Sequence, residues 1–255
     1  MRTLEALGNL LLRFLTDIGR FFILAGETFR GFLRPPYDIR AWATQIVRVG
    51  FDSLPVVLVT AVFTGGVMAL QTFKGFARFH AEGYVGSVVA LSMLRELAPV
   101  LTGLMVAGRA GSAMAAELGS MRVTEQIDAL ISLATDPVQY LFVPRVLAGI
   151  VVMPFLVALG NGTGILGGYL VAVRLQGANP VVYMNNTFQF LELNDLWSGL
   201  IKSAVFGGLL TLIGCQKGYD TTGGAEGVGR STTSAVVTGS LAVLVSDFFL
   251  TKILF

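Results

Sequence analysis

Residues 94–130 read LRELAPVLTGLMVAGRAGSAMAAELGSMRVTEQIDAL, and the order of their chemistry decides the fold. A charged pair, Arg95 and Glu96, stands inside an otherwise apolar helical run. Pro99 follows, then small residues every fourth position: Gly103, Ala107, Gly111, Ala115 and Gly119 on one stripe, Gly108, Ser112, Ala116 and Ser120 on the next. Such stripes let a neighbouring backbone approach closely in lipid. From Ala115 onward the character changes. Glu117, Arg122, Glu125, Gln126 and Asp128 alternate with Leu118, Met121, Ile127 and Leu130. This is too polar for hydrocarbon, so residues 115–130 predict an amphipathic helix bent along the membrane surface and ending before Asp136-Pro137. An exposed helix of this kind is a handle for a partner; a helix merely lying on the membrane reads the same way.

The remainder of the chain fits a membrane setting. Of 255 residues, 54% are hydrophobic and 13% charged, with a mean hydropathy of +0.72, whereas soluble domains carry about a quarter charged residues. A crossing needs about 20 apolar residues, and five windows qualify: 53–73, 84–108, 146–173, 196–215 and 233–254. The predicted fold class is all-α integral membrane, with an N-terminal amphipathic interfacial helix at 1–33, five transmembrane helices, and a cytoplasmic coupling helix between the second and third. All 255 residues form a single domain. A net charge of +2 gives no footing for nucleic acid, and the single cysteine, Cys215, excludes an internal disulfide.

The first 33 residues do not read as a cleavable signal, because Arg13, Asp17 and Arg20 interrupt any apolar core. Instead Leu4, Leu7, Leu11, Phe14, Ile18, Phe21, Ala25, Phe29 and Phe32 recur at spacings of three and four, while Arg2, Asn9, Thr16 and Glu27 fall largely on other faces. That pattern predicts a helix lying in the membrane interface; a solvated helix packed on another protein would show it too. Pro35-Pro36 then breaks the chain. With the N-terminus inside, twelve Lys and Arg side chains fall on the cytoplasmic side, against Lys74, Arg78, Arg174 and Lys252 outside. The positive-inside bias therefore predicts a cytoplasmic N-terminus and an outer C-terminus.

Other features are quieter. Gln71, near the outer end of the first span, reads as interhelical glue or as part of a polar cavity wall. His80 has no second metal ligand at a useful spacing. Gly160, Gly164, Gly168 and Ala172 repeat the small-residue stripe in the third span, which Pro154 is expected to kink. Asn179-Pro180 predicts a turn within an outer loop from 174 to 195, with Trp197 an interfacial anchor. The glycine-rich stretch 217–230 lacks the Gly-Lys-Ser/Thr of a phosphate loop and predicts a mobile turn, with Ser231 or Thr232 capping the last helix.

Four ionisable side chains fall inside predicted spans: Arg95, Glu96, Lys202 and Asp247. Each ionised group near the bilayer centre costs roughly 2.5–3.5 kcal/mol even on lenient scales, so such groups pair or face water. At about 1.5 Å per residue all four fall in the outer half to centre of the membrane. Two bases and two acids at similar depth predict a polar knot between the second, fourth and fifth helices, lining or gating a cavity. A purely structural ion-pair cluster that fixes helix register is the alternative, and Lys202 could also snorkel outward.

The stretch RELAPVLTGLMVAGRAGSAMAAELGSMRVTEQIDAL, with DPVQYLFVPR, GYDTTGGAEGVGRSTTSAVV and the late Asp247, resembles the MlaE (YrbE-like) permease family over nearly the whole chain, with no departure in the central stretch. The resemblance implies the membrane subunit of an ABC transporter that moves phospholipid between the inner and outer membranes of Gram-negative bacteria and maintains outer-membrane lipid asymmetry. It implies a multi-pass inner-membrane homodimer, a cytoplasmic ATPase dimer docked on the coupling helix, a STAS-domain regulator, and a periplasmic hexamer of MCE-domain subunits. No cofactor belongs to this chain; ATP and Mg belong to the partner ATPase. Arg95, Glu96, Lys202 and Asp247 then correspond to the family's intramembrane charges, and Leu70, Phe73 and Leu97, with Gln71, would line the lipid cavity. The ATPase-coupling residues would be Glu117, Met121, Arg122, Glu125, Ile127 and Asp128.

Together these expectations describe a gate without catalytic chemistry. Lipid tails need an apolar pocket, the phosphate needs a cation such as Arg95 or Lys202, and a helix joined to the coupling segment would carry motion to Arg95 and Glu96. Two rivals belong to other classes. One is a membrane-embedded enzyme using Glu96 and Asp247, which lacks a nucleophile–histidine pairing. The other is a passive scaffold anchoring periplasmic lipid-binding subunits.

Overall fold

The long apolar runs form helices because nothing else in hydrocarbon satisfies every backbone N–H and C=O within one segment. The computed structural model describes residues 2–35 and 38–254, with side chains described at 12 and from 15 onward. Leu4, Leu7, Leu11 and Phe14 of the predicted stripe, with Arg2, Asn9 and Arg13, therefore lie outside the described side chains, and Pro36 of the predicted break lies outside the described residues.

The helices are α1 (Arg2–Phe32), α2 (Ile39–Gly50), α3 (Leu54–Phe76), α4 (Val85–Ser92), α5 (Ala98–Val106), α6 (Ser112–Val123), α7 (Gln126–Ser132), α8 (Val143–Leu170), α9 (Pro180–Gln189), α10 (Leu193–Tyr219) and α11 (Gly224–Leu254). Short 3₁₀ and π turns join several of them into five rods long and apolar enough to cross a membrane: Ile39–Phe79, Glu82–Val123, Val138–Leu175, Leu193–Tyr219 and Gly224–Leu254. Among the described residues there is no strand. The all-α membrane class thus stands.

Helix α8 is the centre of the assembly, packing on α2, α3, α5 and α10. Glycine decides how closely. A Cβ on Gly65 would fall on the Gly164 carbonyl, and those on Gly149 and Gly207 would each fall on the other's carbonyl oxygen. The stripe at 103, 107, 111, 115 and 119 is buried throughout, whereas Gly108 and Ser120 of the second stripe are exposed. One apolar cluster, including Phe142, Met153, Phe206 and Leu210, fills the end of the bundle nearer the basic residues Arg48, Arg109 and Arg145. A second, around Ala69, Val89, Met93 and Tyr183, fills the far end.

Three local readings change. Residues 115–130 are not one helix: the second rod runs unbroken to Val123, Glu125 takes a left-handed backbone at φ 59°, and α7 starts afresh at Gln126. The stretch predicted as an outer loop contains a helix, α9, because the Asn179 side chain accepts from the N–H groups of Val181 (3.0 Å) and Val182 (3.3 Å), with Pro180 opening the first turn. The glycine-rich stretch is mostly helical as well. Only Gly223 (φ 88°) and Gly224 (φ 66°) make the turn; Gly227 is small because the Thr222 carbonyl lies where its Cβ would be. The last helix accordingly starts seven residues before Ser231, whose Oγ instead lies 2.8 Å from that of Thr221.

Candidate functional site

Arg95 and Glu96 sit in a π-helical turn, Met93–Leu97, between α4 and α5. Pro99 helps to place it, since its ring nitrogen has no hydrogen to donate to the Arg95 carbonyl one turn back. That oxygen instead accepts from Lys202 Nζ at 3.1 Å. The same ammonium reaches Glu96 Oε1 at 2.9 Å, Asp247 Oδ1 at 3.1 Å and Thr251 Oγ1 at 2.6 Å. The Thr251 hydroxyl lies 3.1 Å from Glu96 Oε1 and 2.8 Å from the Asp247 carbonyl. Lys202 is wholly buried. Removing an ammonium from water costs several kcal/mol, and only close anionic partners offset it. The predicted knot between the second, fourth and fifth rods is thus present for Lys202, Glu96 and Asp247, and Lys202 does not snorkel.

Arg95 belongs to a different pair. Its Nε and Nη2 lie 2.7 and 2.6 Å from Oδ1 of Asp195, a residue that the sequence alone leaves at the edge of the outer loop. Asp195 is 1% exposed, whereas the Arg95 side chain is 40% exposed. Its other oxygen, Oδ2, accepts from the Glu192 N–H at 3.0 Å, closing a capping box at the start of α10. Asp195 and Lys202 are seven residues apart, two turns along one face of α10, roughly 10 Å by helix rise. The π-turn therefore meets α10 through two ion pairs of opposite polarity: Arg95 to Asp195, and Glu96 to Lys202. The spacing of an acid and a base at i, i+7 is the sign in the sequence that points to Asp195.

The predicted cavity residues fall into two groups. Phe73 and Leu97 pack on the same far-end apolar cluster. Phe73 also lines an open cleft of about 360 Å³ with Glu82, Gly83, Asn179, Val182 and Tyr183. Leu70 is half-buried and Gln71 exposed on α3. The Tyr183 hydroxyl is buried with no hydrogen-bond partner among the described residues, and burial pushes its pKa up to about 12.

The predicted coupling residues divide into two groups. Glu125 and Asp128 are exposed, and Asp128 pairs with Arg122 at 2.6 Å across the break between α6 and α7. The Arg122 guanidinium lies over the Tyr219 ring, 5.8 Å from its centroid. Ile127 is fully buried in the core and Met121 half-buried against it, so neither faces outward as a contact. Glu117 is engaged as well, holding Arg48 of α2 at 3.1 Å and the buried Arg145 of α8 at 3.0 Å. Exposed Ile131 and Leu133 occupy the outer surface in their stead, a feature hidden in sequence by the unforeseen break at Glu125.

Two turns before Glu117 on the same rod, Arg109 grips the elbow between α2 and α3. It donates from Nε to Ser53 Oγ at 2.7 Å, from Nη2 to the carbonyls of Val49 (3.1 Å) and Arg48, and lies 3.6 Å from Asp52. Among the described residues no group of three or more His, Cys, Asp or Glu side chains is arranged to hold a metal.

Comparison with known proteins agrees in direction. A family model described as Permease MlaE matches residues 42–253. A probable ABC transporter permease protein of Rickettsia typhi is 46% identical over 248 residues, covering 97% of this chain and 96% of its own length. The protein TRIGALACTOSYLDIACYLGLYCEROL 1, chloroplastic, of Arabidopsis thaliana is 40% identical over 233 residues, covering 91% and 67%. The intermembrane phospholipid transport system permease protein MlaE of Haemophilus influenzae is 39% identical over 259 residues, covering 99% and 97%.

Proposed function

Because this chain belongs to the MlaE permease family, we propose that it is the non-catalytic membrane subunit of an ABC transporter that moves phospholipid between the two membranes of a bacterial envelope and so maintains lipid asymmetry. It works as a homodimer in the inner membrane, N-terminus cytoplasmic and C-terminus outside, with α1 in the interface. ATP and Mg bind a partner ATPase dimer, a STAS-domain protein regulates it, and an MCE-domain hexamer receives or delivers lipid on the outer side.

The observation that carries this reading is the buried Lys202 cluster. Its acid Glu96 sits on the rod Glu82–Val123, whose other end turns through Glu125 into α7, with its exposed Asp128 and Ile131. Motion imposed on α7 and α6 by the motor reaches the π-turn along one rod. Breaking the contacts of Glu96 there opens the bundle, and remaking them closes it on an apolar space that expels lipid. Lys202, being wholly buried, serves as the latch and not as the headgroup's cation; that role falls to the more exposed Arg95.

The test uses the complete complex in proteoliposomes, following ATP-dependent transfer of fluorescent phospholipid to acceptor vesicles. Glu96→Gln is expected to lower transfer at least tenfold while the ATPase pair stays bound; transfer at the wild-type rate would remove the gate. For docking, Glu125→Ala with Asp128→Ala is expected to reduce co-purification of the ATPase, and undiminished binding would refute that role.

A further inference from the structure

We propose that Asp195 is the positioning residue for Arg95. In this conformation it occupies the guanidinium, and it must be exchanged for the phosphate of a headgroup when lipid enters. The proposal rests on the phospholipid reading above and names the step by which the site becomes able to bind.

The geometry separates the two oxygens of Asp195. Oδ2 is committed to the Glu192 N–H and the start of α10, at 3.0 Å. Oδ1 is the oxygen of Asp195 that pairs with Arg95, meeting Nε and Nη2 at 2.7 and 2.6 Å. Releasing Arg95 therefore leaves the helix cap intact. The carboxylate is 1% exposed and has little freedom to follow the guanidinium, whereas the Arg95 side chain is 40% exposed and can swing toward a ligand. A guanidinium fork accepts carboxylate or phosphate oxygens in the same planar geometry, so the two anions compete for one pair of N–H groups. Lys202 cannot take Arg95's place, since burial and four oxygen neighbours already occupy it.

A consequence separates this role from simple support of the fold. A residue that only stabilises the bundle affects every lipid alike. A residue that competes with phosphate affects phosphate-bearing lipids alone. Asp195→Asn keeps the side-chain shape and an oxygen for the Glu192 N–H, but removes the negative charge that Asp195 presents to Arg95.

The experiment measures binding of phosphatidylglycerol and of diacylglycerol, which has the same tails and no phosphate, to the complete complex in nanodiscs. Asp195→Asn is expected to tighten phosphatidylglycerol binding roughly threefold or more, corresponding to a fraction of the tenfold change per 1.4 kcal/mol, with diacylglycerol unchanged. Arg95→Gln is expected to abolish the preference for the phosphate-bearing lipid. If Arg95→Gln weakens phosphatidylglycerol binding while Asp195→Asn changes nothing, or shifts both lipids equally, the exchange is overturned and the phospholipid reading stands. If phosphatidylglycerol binds no better than diacylglycerol even in the wild type, both fall. Should Asp195→Asn fail to assemble, a structure of the wild-type complex with phosphatidylglycerol decides. Arg95 is expected to have left Asp195 for the phosphate, and an intact pair beside a seated headgroup overturns the proposal.

Discussion

Lys202 Nζ and Glu96 Oε1 lie 2.9 Å apart, joining the fourth spanning rod to a π-turn of the second, and the ammonium between them is wholly buried. A cation so placed is held by its partners and by little else. Lys202→Met should therefore destabilise the bundle by about 3–5 kcal/mol, because it strands Glu96 and Asp247 opposite each other. Neutralising both acids in the same background, as Lys202→Met with Glu96→Gln and Asp247→Asn, should restore most of the thermal stability in detergent but not lipid transfer. Full recovery of transfer would mean that the charges serve folding alone.

The close helix pairs make a second prediction. Gly65→Ala and Gly149→Ala each place a methyl on a facing carbonyl, and overpacking of this kind costs about 1–3 kcal/mol or more. Gly162, exposed inside α8 with nothing within 4 Å of where a Cβ would project, is the control: Gly162→Ala should be neutral or stabilising by up to about 1 kcal/mol. Thermal unfolding of the three variants checks the contrast.

Much of this architecture was legible in the chain, for physical reasons. Five apolar runs must be spanning helices once composition requires a membrane, and four charges in them must find partners. What stayed hidden depended on contacts between distant segments. Asp195 looked like loop because its partner, Arg95, is 100 residues away. The glycines of 223–229 read as flexibility, yet Gly227 serves close packing. Glu117 remains exposed but is tied to Arg48 of α2 and Arg145 of α8, and Ile127 is enclosed by the core; neither contact could be read from periodicity. Periodicity reports which face of a helix is polar; it does not report what lies opposite.

The break at Glu125 makes a third prediction. A non-glycine residue in the left-handed region costs roughly 1–2 kcal/mol. Glu125→Gly should raise the melting temperature, while Glu125→Val should lower it. If residues 115–130 formed one helix in solution, the glycine variant would instead be the less stable.

A pH dependence follows from Asp220, which lies beyond the end of the fourth rod. Burial raises its pKa above the ordinary carboxylate value, with Asp17 adding to the shift and Arg20 and Lys217 opposing it. Because the folded state binds the proton more tightly than the unfolded chain, the group's contribution to stability is highest below the ordinary carboxylate pKa. It declines as pH rises through the window up to the raised value. Melting temperatures of wild type and Asp220→Asn should therefore diverge across that window in favour of the asparagine variant, and parallel curves would contradict the shift.

The central claim is that phospholipid occupies an apolar space beside the Lys202 cluster and leaves it when the motor closes. Photo-crosslinking in the complete complex tests it most directly. A photoreactive residue at Phe73 or Leu97 should capture radiolabelled phospholipid without nucleotide and lose it when the ATPase is trapped with ATP and vanadate, while Phe63, 70% exposed on α3, captures lipid equally in both states. Crosslinks at Phe73 and Leu97 that are absent, or that match Phe63 in their indifference to nucleotide, would contradict the account.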